Sequence, residues 1–196
     1  MLVTTPAAPF AVFLFAHGAG APMDSDFMTA IAERLAARGL AVARFEFPYM
    51  AARRSEGKRR PPDRMPVLLA SFAEAAKAAR ARFPGLPLLI GGKSMGGRAA
   101  AMAAEAVAPV GVAAFGYPFH AAGKDATAER LAPLAAPPCP VLLVQGTRDA
   151  LGNAEEVAGY ALGPGVAVAW IADGDHSLKP RRASGLTPEA ALDHAA

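Results

Sequence analysis

The sequence predicts an α/β fold in which one mainly parallel sheet of about six strands carries helices on both faces, with residues 1–196 forming one domain. Three observations lead there. Six short apolar runs alternate with amphipathic stretches, the pattern of strands joined by crossover helices. Those runs are continuously apolar rather than alternating, as strands covered on both faces require. A chain of 196 residues, 53% apolar and 19% charged, can fill one sizeable core and is short for two.

The strands are expected at Phe10–Ala16, Ala41–Phe45, Pro87–Ile90, Val110–Phe115, Val141–Gln145 and Val166–Ile171. Between the first two lies a helix with Asp24, Ser25 or Asp26 as N-cap, Phe27, Ile31 and Leu35 on one face, and Gly39 as its stop. A second helix is expected from about Pro66 to Phe83. Others follow at Met95–Ala106, Ala126–Leu134, Ala154–Leu162 and after Thr187-Pro188. Ala51–Arg64 and Gly174–Gly185 read as polar, base-rich loops after strands, at the carboxyl edge of the sheet where ligands bind in open α/β folds.

Composition narrows the partners. Twenty basic against 17 acidic residues leave a net charge of +3, too small an excess to indicate a nucleic-acid binder. Cys139 is the only cysteine, which excludes a disulfide framework and a cysteine-based zinc site. No H-E-x-x-H pattern is present, so no metal and no cofactor is expected. Pro9–Ala16 is apolar, but no Lys or Arg precedes Arg34, so it reads as a buried strand rather than a signal peptide. Ala106–Gly123 is interrupted by Pro109, Gly111, Gly116, Pro118 and His120 and suits a membrane poorly. The expectation is a cytoplasmic protein with no membrane partner.

The strongest chemical signal is Gly92-Lys93-Ser94-Met95-Gly96, a G-x-S-x-G between an apolar strand and a helix-like segment. Glycines flanking a serine at such a junction permit a sharp strand-to-helix turn that exposes the hydroxyl at a helix N-terminus, where developing negative charge is favoured. A phosphate-binding P-loop is excluded, because it needs glycine five residues before Gly92 and Pro87 stands there. Ser94 is therefore the candidate nucleophile.

An activated serine needs a base, and the base needs an acid. His176 follows the last strand in Asp173-Gly174-Asp175-His176-Ser177 and is the candidate base, with His120 the runner-up. Asp149 leaves the carboxyl end of Val141–Gln145 and is the candidate acid. Asp173 and Asp175 are alternatives, lying awkwardly close to His176 in sequence. The oxyanion is assigned to the N–H groups of Met95 and of Ala19 in His17-Gly18-Ala19-Gly20, with His17 read as a ring that fixes that loop. A sheet ordered second, first, third, fourth, fifth, sixth would bring both segments to one switch point. His120, Tyr117 and Arg64 are the candidate substrate contacts.

Taken in order, HGAG, GKSMGG, QGTRD and GDHS resemble the α/β-hydrolase superfamily. With FPY near Phe47, RRPPDR, GYPFH and DHSLKPR, the chain is similar to a small dienelactone-hydrolase-like group. That group is related to the hydrolase-like domain of a chromatin-acetylation complex subunit and to a testis-expressed protein. The likeness runs from about Phe10 to Gly185 and implies a minimal hydrolase fold without a large cap domain, with Ser94, Asp149 and His176 as its triad. The chain departs from the general pattern in lacking strands before Phe10 and in a short final helix.

The function expected is a serine hydrolase acting on small acyl esters or thioesters, as monomer or homodimer. The rival is a hydrolase-shaped interaction module with an idle site. Arg53, Arg54, Lys58, Arg59, Arg60 and Arg64, with Lys179, Arg181 and Arg182, are expected to place a basic rim near the site and to favour anionic substrates.

Overall fold

The computed structural model describes residues 1–196. Along the chain run β1 (Leu2–Thr4), β2 (Ala11–Ala16), α1 (Asp26–Ala37), β3 (Leu40–Phe45), α2 (Pro48–Glu56), α3 (Met65–Arg82), β4 (Leu88–Lys93) and α4 (Met95–Val107). They are followed by β5 (Gly111–Phe115), α5 (Ala128–Ala135), β6 (Val141–Gly146), α6 (Ala154–Ala158), β7 (Val166–Ile171) and α7 (Pro188–Ala195). The seven strands form one sheet in the order β1-β3-β2-β4-β5-β6-β7, parallel except for β1.

The six expected strands take the expected order, which reverses between β2 and β4. All six residues of β2 are buried, as its unbroken apolar run requires of a strand covered on both faces. Helices α2 to α6 cover one face, over a core holding Leu14, Phe45, Phe47, Phe72, Ile90 and Leu143. Helices α1 and α7 cover the other, over Phe13, Phe15, Met28, Ile31, Phe115 and Ile171. No helix is long and apolar enough to cross a membrane.

Three expectations are corrected. A strand does precede Phe10: Leu2, Val3 and Thr4 pair antiparallel with Arg44, Ala43 and Val42 of β3. Three edge residues ending at Thr5-Pro6 are too few to show a period. Arg44, almost fully buried, ties this strand down by donating to Thr4 Oγ1 (3.1 Å), Thr29 Oγ1 (2.8 Å) and the Met23 carbonyl (3.2 Å). The segment after β3 is likewise not all loop. Pro48 occupies the first turn of α2, Tyr49 and Met50 are buried, and Gly57 ends the helix at φ 67°. Its outward residues, Arg53, Arg54, Ser55 and Glu56, give the stretch its loop-like composition. α6 stops at Ala158 rather than Leu162, capped by Gly159. The segment between Tyr117 and Cys139 holds only α5, so the fold is without a lid.

Helix α3 gives a direct test of this packing. Phe72 is wholly buried, its ring 5.2 Å from that of Phe45, whereas Val67 on the same helix is 44% exposed. Phe72→Ala should cost about 3–5 kcal/mol, and Val67→Ala should stay within about 0.5 kcal/mol, as read from urea unfolding midpoints.

Candidate active site

The turn between β4 and α4 fixes the site. Ser94 has φ 50° and ψ −115°, a strained conformation for a residue with a side chain, held by its own N–H to the Phe115 carbonyl (3.0 Å) and by Arg98 N–H to its carbonyl (3.0 Å). The neighbouring glycines are a steric requirement. A Cβ at Gly92 would lie 2.3 Å from the Gly96 carbonyl carbon, and one at Gly96 would lie 2.5 Å from the His17 carbonyl oxygen. Backbone packs directly on backbone here, bringing the loop after β2 against the start of α4.

The structure brings Ser94, His176 and Asp149 together across the carboxyl edge of the sheet. His176 Nε2 lies 2.8 Å from Ser94 Oγ, and His176 Nδ1 lies 2.9 Å and 3.0 Å from the two carboxylate oxygens of Asp149. Asp149 is wholly buried, and each oxygen has a further donor: Leu151 N–H to Oδ1 (2.8 Å) and Gln145 Nε2 to Oδ2 (2.9 Å). The carboxylate side makes Nδ1 the protonated nitrogen, leaving Nε2 free to accept from Ser94.

The alternative acids are engaged elsewhere. Asp173 pairs with Arg181 and Arg148, and the hydrogen bonds from Arg181 hold its carboxyl down at about 2. Asp175 Oδ1 accepts the N–H groups of Ser177 (2.8 Å) and Lys179 (3.0 Å), closing the turn that carries His176. The runner-up base is also occupied: His120 Nδ1 faces the Ala121 carbonyl (3.0 Å) and Nε2 faces Glu156 (3.2 Å). Burial lowers its pKa, but those two acceptors outweigh burial and the net shift is upward.

The loop after β2 is pinned from behind. His17 donates from Nδ1 to the Gly18 carbonyl (2.7 Å) and accepts the Phe47 N–H at Nε2 (3.1 Å), a pattern only the neutral ring can make. Burial lowers its pKa in the same sense. Tyr49 donates its hydroxyl to the Gly18 and Ala19 carbonyls (3.1 and 3.0 Å). With every peptide trans, the N–H of Ala19 points opposite the Gly18 carbonyl that His17 and Tyr49 hold. Ala19 and Ser94 both line two adjoining cavities, of about 280 and 390 Å³. Met95 N–H, first in α4, has no intrahelical partner.

Of the candidate substrate contacts, only His120 lines a cavity at Ser94. Tyr117 is wholly buried in the core and donates its hydroxyl to the Arg130 carbonyl (2.8 Å), so it offers no surface to a substrate. Arg64 is exposed at the start of α3, in a separate groove with Pro48, Tyr49 and Arg60. None of the basic residues expected to form a rim lines either cavity at Ser94, and three of them are paired: Arg54 with Asp24 and Glu46, Arg60 with Glu56, and Arg181 with Asp173. Arg98 and Arg130 are the arginines that line the smaller cavity beside Ser94.

A family model described as an alpha/beta hydrolase domain matches residues 9–196. The chain belongs to the α/β-hydrolase family. Comparison with curated protein sequences gave no match. Among solved structures, this α/β-hydrolase is similar to a lidless α/β serine hydrolase of Xanthomonas campestris (TM-score 0.73, 21% identity, 98% of this chain and 85% of that one). It is similar also to an α/β serine hydrolase homologue from Coxiella burnetii (0.75, 18%, 90% and 83%). A dienelactone hydrolase from Anabaena variabilis compares at 0.71, 22%, 98% and 85%. At these identities the likeness speaks for the fold, that of a small dienelactone-hydrolase-like domain.

Two polar residues of this α/β-hydrolase site were not singled out from the sequence. Gln145, wholly buried at the end of β6, accepts the Tyr117 N–H (2.7 Å) and donates to Asp149, Tyr117 and Gly152, so that one amide fixes the whole acid turn. An amide ending an otherwise apolar strand four residues before the acid was the available signal. Lys93, inside the G-x-S-x-G, donates from Nζ to the His176 carbonyl (2.6 Å) and stands 5.7 Å from the Phe27 ring centre.

Burial pulls the Lys93 ammonium down to about 8, against the opposing pull of Asp149 and Asp175. The unfolded chain keeps that proton to about 10.5, so between these values it binds more protons and stability should rise with pH. Below about pH 8 both states are protonated and the cost of the buried charge is fully expressed. The stability of wild type relative to Lys93→Met should therefore shift in favour of wild type as pH rises from about 8 to about 10.5, as urea midpoints across that range would report. A gap independent of pH would contradict it.

Proposed function

We propose that the protein is a serine hydrolase, a carboxylesterase or thioesterase that acts on small acyl substrates through a covalent acyl-enzyme. The observation that carries this reading is the unbroken hydrogen-bond chain from Ser94 Oγ through His176 to the buried carboxylate of Asp149. A nucleophile, a base oriented to receive its proton, and an acid that stabilises the resulting imidazolium are the parts acyl transfer needs.

In the proposed reaction Ser94 Oγ forms a bond to the carbonyl carbon as its proton passes to His176 Nε2, and the carbonyl electron pair moves onto oxygen. The N–H groups of Ala19 and Met95 receive that oxyanion. Met95 stands at the first turn of α4, where the helix dipole also favours negative charge. Collapse breaks the bond to the leaving oxygen or sulfur, which takes the proton from Nε2. Water then attacks the acyl-enzyme by the same steps and frees Ser94 and the carboxylic acid.

Ser94→Ala should lower ester hydrolysis by at least about three orders of magnitude while the fold survives, and His176→Ala should match it, since triad members act as a unit. Asp149→Asn should cost far more than Asp173→Asn or Asp175→Asn, because an amide can hold the wrong imidazole tautomer. The decisive measurements are labelling of Ser94 by a fluorophosphonate and turnover of 4-nitrophenyl esters of rising chain length. Folded protein that neither labels nor turns over an ester would be an interaction module instead.

A further inference from the structure

The two cavities at Ser94 share Ser94 and Ala19 and differ in what else lines them. The larger includes His176, Ser177, Phe27 and Lys93, and the smaller includes Met95, His120, Leu151, Arg98 and Arg130. The leaving group must take its proton from His176 Nε2, so it departs on the side of the larger cavity. The acyl chain is then directed into the smaller one.

That smaller cavity holds two guanidinium groups. Arg98 lies four residues after Ser94 on α4, one helical turn along the same face, with its side chain only 13% exposed. Its Nη2 meets Glu129 (2.5 Å), while its buried Nε has no partner in the protein. Arg130 donates from Nη1 to the Pro118 carbonyl (2.8 Å) and makes no other protein hydrogen bond from its guanidinium. Burial lowers the Arg130 pKa, and the nearby charge of Arg98 lowers it further.

Two carboxylates face this cluster and are accounted for. Glu156 is matched by His120. Glu129 is 69% exposed and offsets only part of the charge of Arg98 and Arg130. An unmatched positive charge and several free N–H donors therefore remain in a pocket of about 280 Å³. Guanidinium forks suit a carboxylate geometrically and bind it more strongly than neutral acceptors.

We propose that the smaller cavity is the acyl subsite, and that Arg98 and Arg130 select acyl groups ending in a carboxylate, such as monoesters of short dicarboxylic acids. This rests on the serine-hydrolase reading.

The test compares kcat/KM for ethyl pentanoate, mono-ethyl glutarate, mono-ethyl adipate, ethyl 5-aminopentanoate and carboxymethyl pentanoate, followed by base uptake at constant pH. At least one dicarboxylate monoester should exceed ethyl pentanoate by about tenfold or more, the worth of one charge-assisted hydrogen bond. The cationic ester should fall below the neutral one, and the carboxylate on the alcohol side should bring no comparable gain. Arg98→Gln and Arg130→Gln should each reduce the anionic-to-neutral ratio several-fold. Arg59→Gln, which removes an equal charge from an exposed position, should leave that ratio unchanged. Should the cavity variants fail to fold, the wild-type series alone still decides: equal rates for the neutral and dicarboxylate esters, or a preference that follows charge on the alcohol side, overturns the proposal. Those results leave the hydrolase reading standing, whereas absence of both ester turnover and fluorophosphonate labelling removes the reading beneath it.

Discussion

The site depends on a place where three pieces of backbone come closer together than side chains allow. At the end of β4, Gly92 meets the first turn of α4, Gly96 meets the carbonyls that close β2, and Gly97 meets Ala114 of β5. With no Cβ in the way, the strand turns into the helix within one residue, and that residue is Ser94 at positive φ. Strain of this kind costs on the order of 1–3 kcal/mol and persists only where the surroundings over-determine it. Here they do so through the parallel ladders of β2, β4 and β5 and the buried alanines of α4. The same contact sets the loop after β2 beside the free N–H groups of α4.

From that point outward, the acid turn is held by buried hydrogen bonds rather than by exposed charge. Asp149 leaves β6, two strands away from Ser94 in the sheet, and its position is fixed by Gln145 and the Leu151 N–H. A carboxylate taken wholly out of water is expensive unless its lone pairs are satisfied, and here three donor groups share them. The loop carrying His176 is closed by Asp175 and anchored through Asp173 to Arg148 and Thr147. The ion pairs of the outer surface, such as Lys77 with Glu74, are exposed at both ends and of a kind that adds little.

Much of this was legible in the residues. Continuous apolar runs disclosed the six parallel strands, because two-sided burial removes the need for polar alternation. Glycines around a serine between strand and helix disclosed the elbow, and the turn after a late strand disclosed Asp149. What stayed hidden was hidden for physical reasons. β1 is three residues on an edge, and α2 presents Arg53, Arg54 and Glu56 outward, so composition there reads as loop. The side of a chain on which a charge falls is a matter of packing. In the base-rich segments Arg54, Arg60 and Arg181 find carboxylate partners, while Arg98 and Arg130, unremarkable in sequence, come together only when α4 and α5 pack. Tyr117 lies near the site in sequence, but the strand end turns its ring into the core beside Phe119.

Lys93 shows how the same constraint reaches the chemistry. As the residue before Ser94 it cannot choose its position, because the β4 ladder to Phe115 fixes its backbone. Its side chain therefore lies in the larger cavity, where Nζ reaches the carbonyl of His176. The histidine is thus held twice, by Asp149 at the ring and by Lys93 at the main chain. Because burial depresses the Lys93 ammonium, its charge fades as pH rises past about 8, yet the neutral amine still carries N–H groups that can donate to the His176 carbonyl.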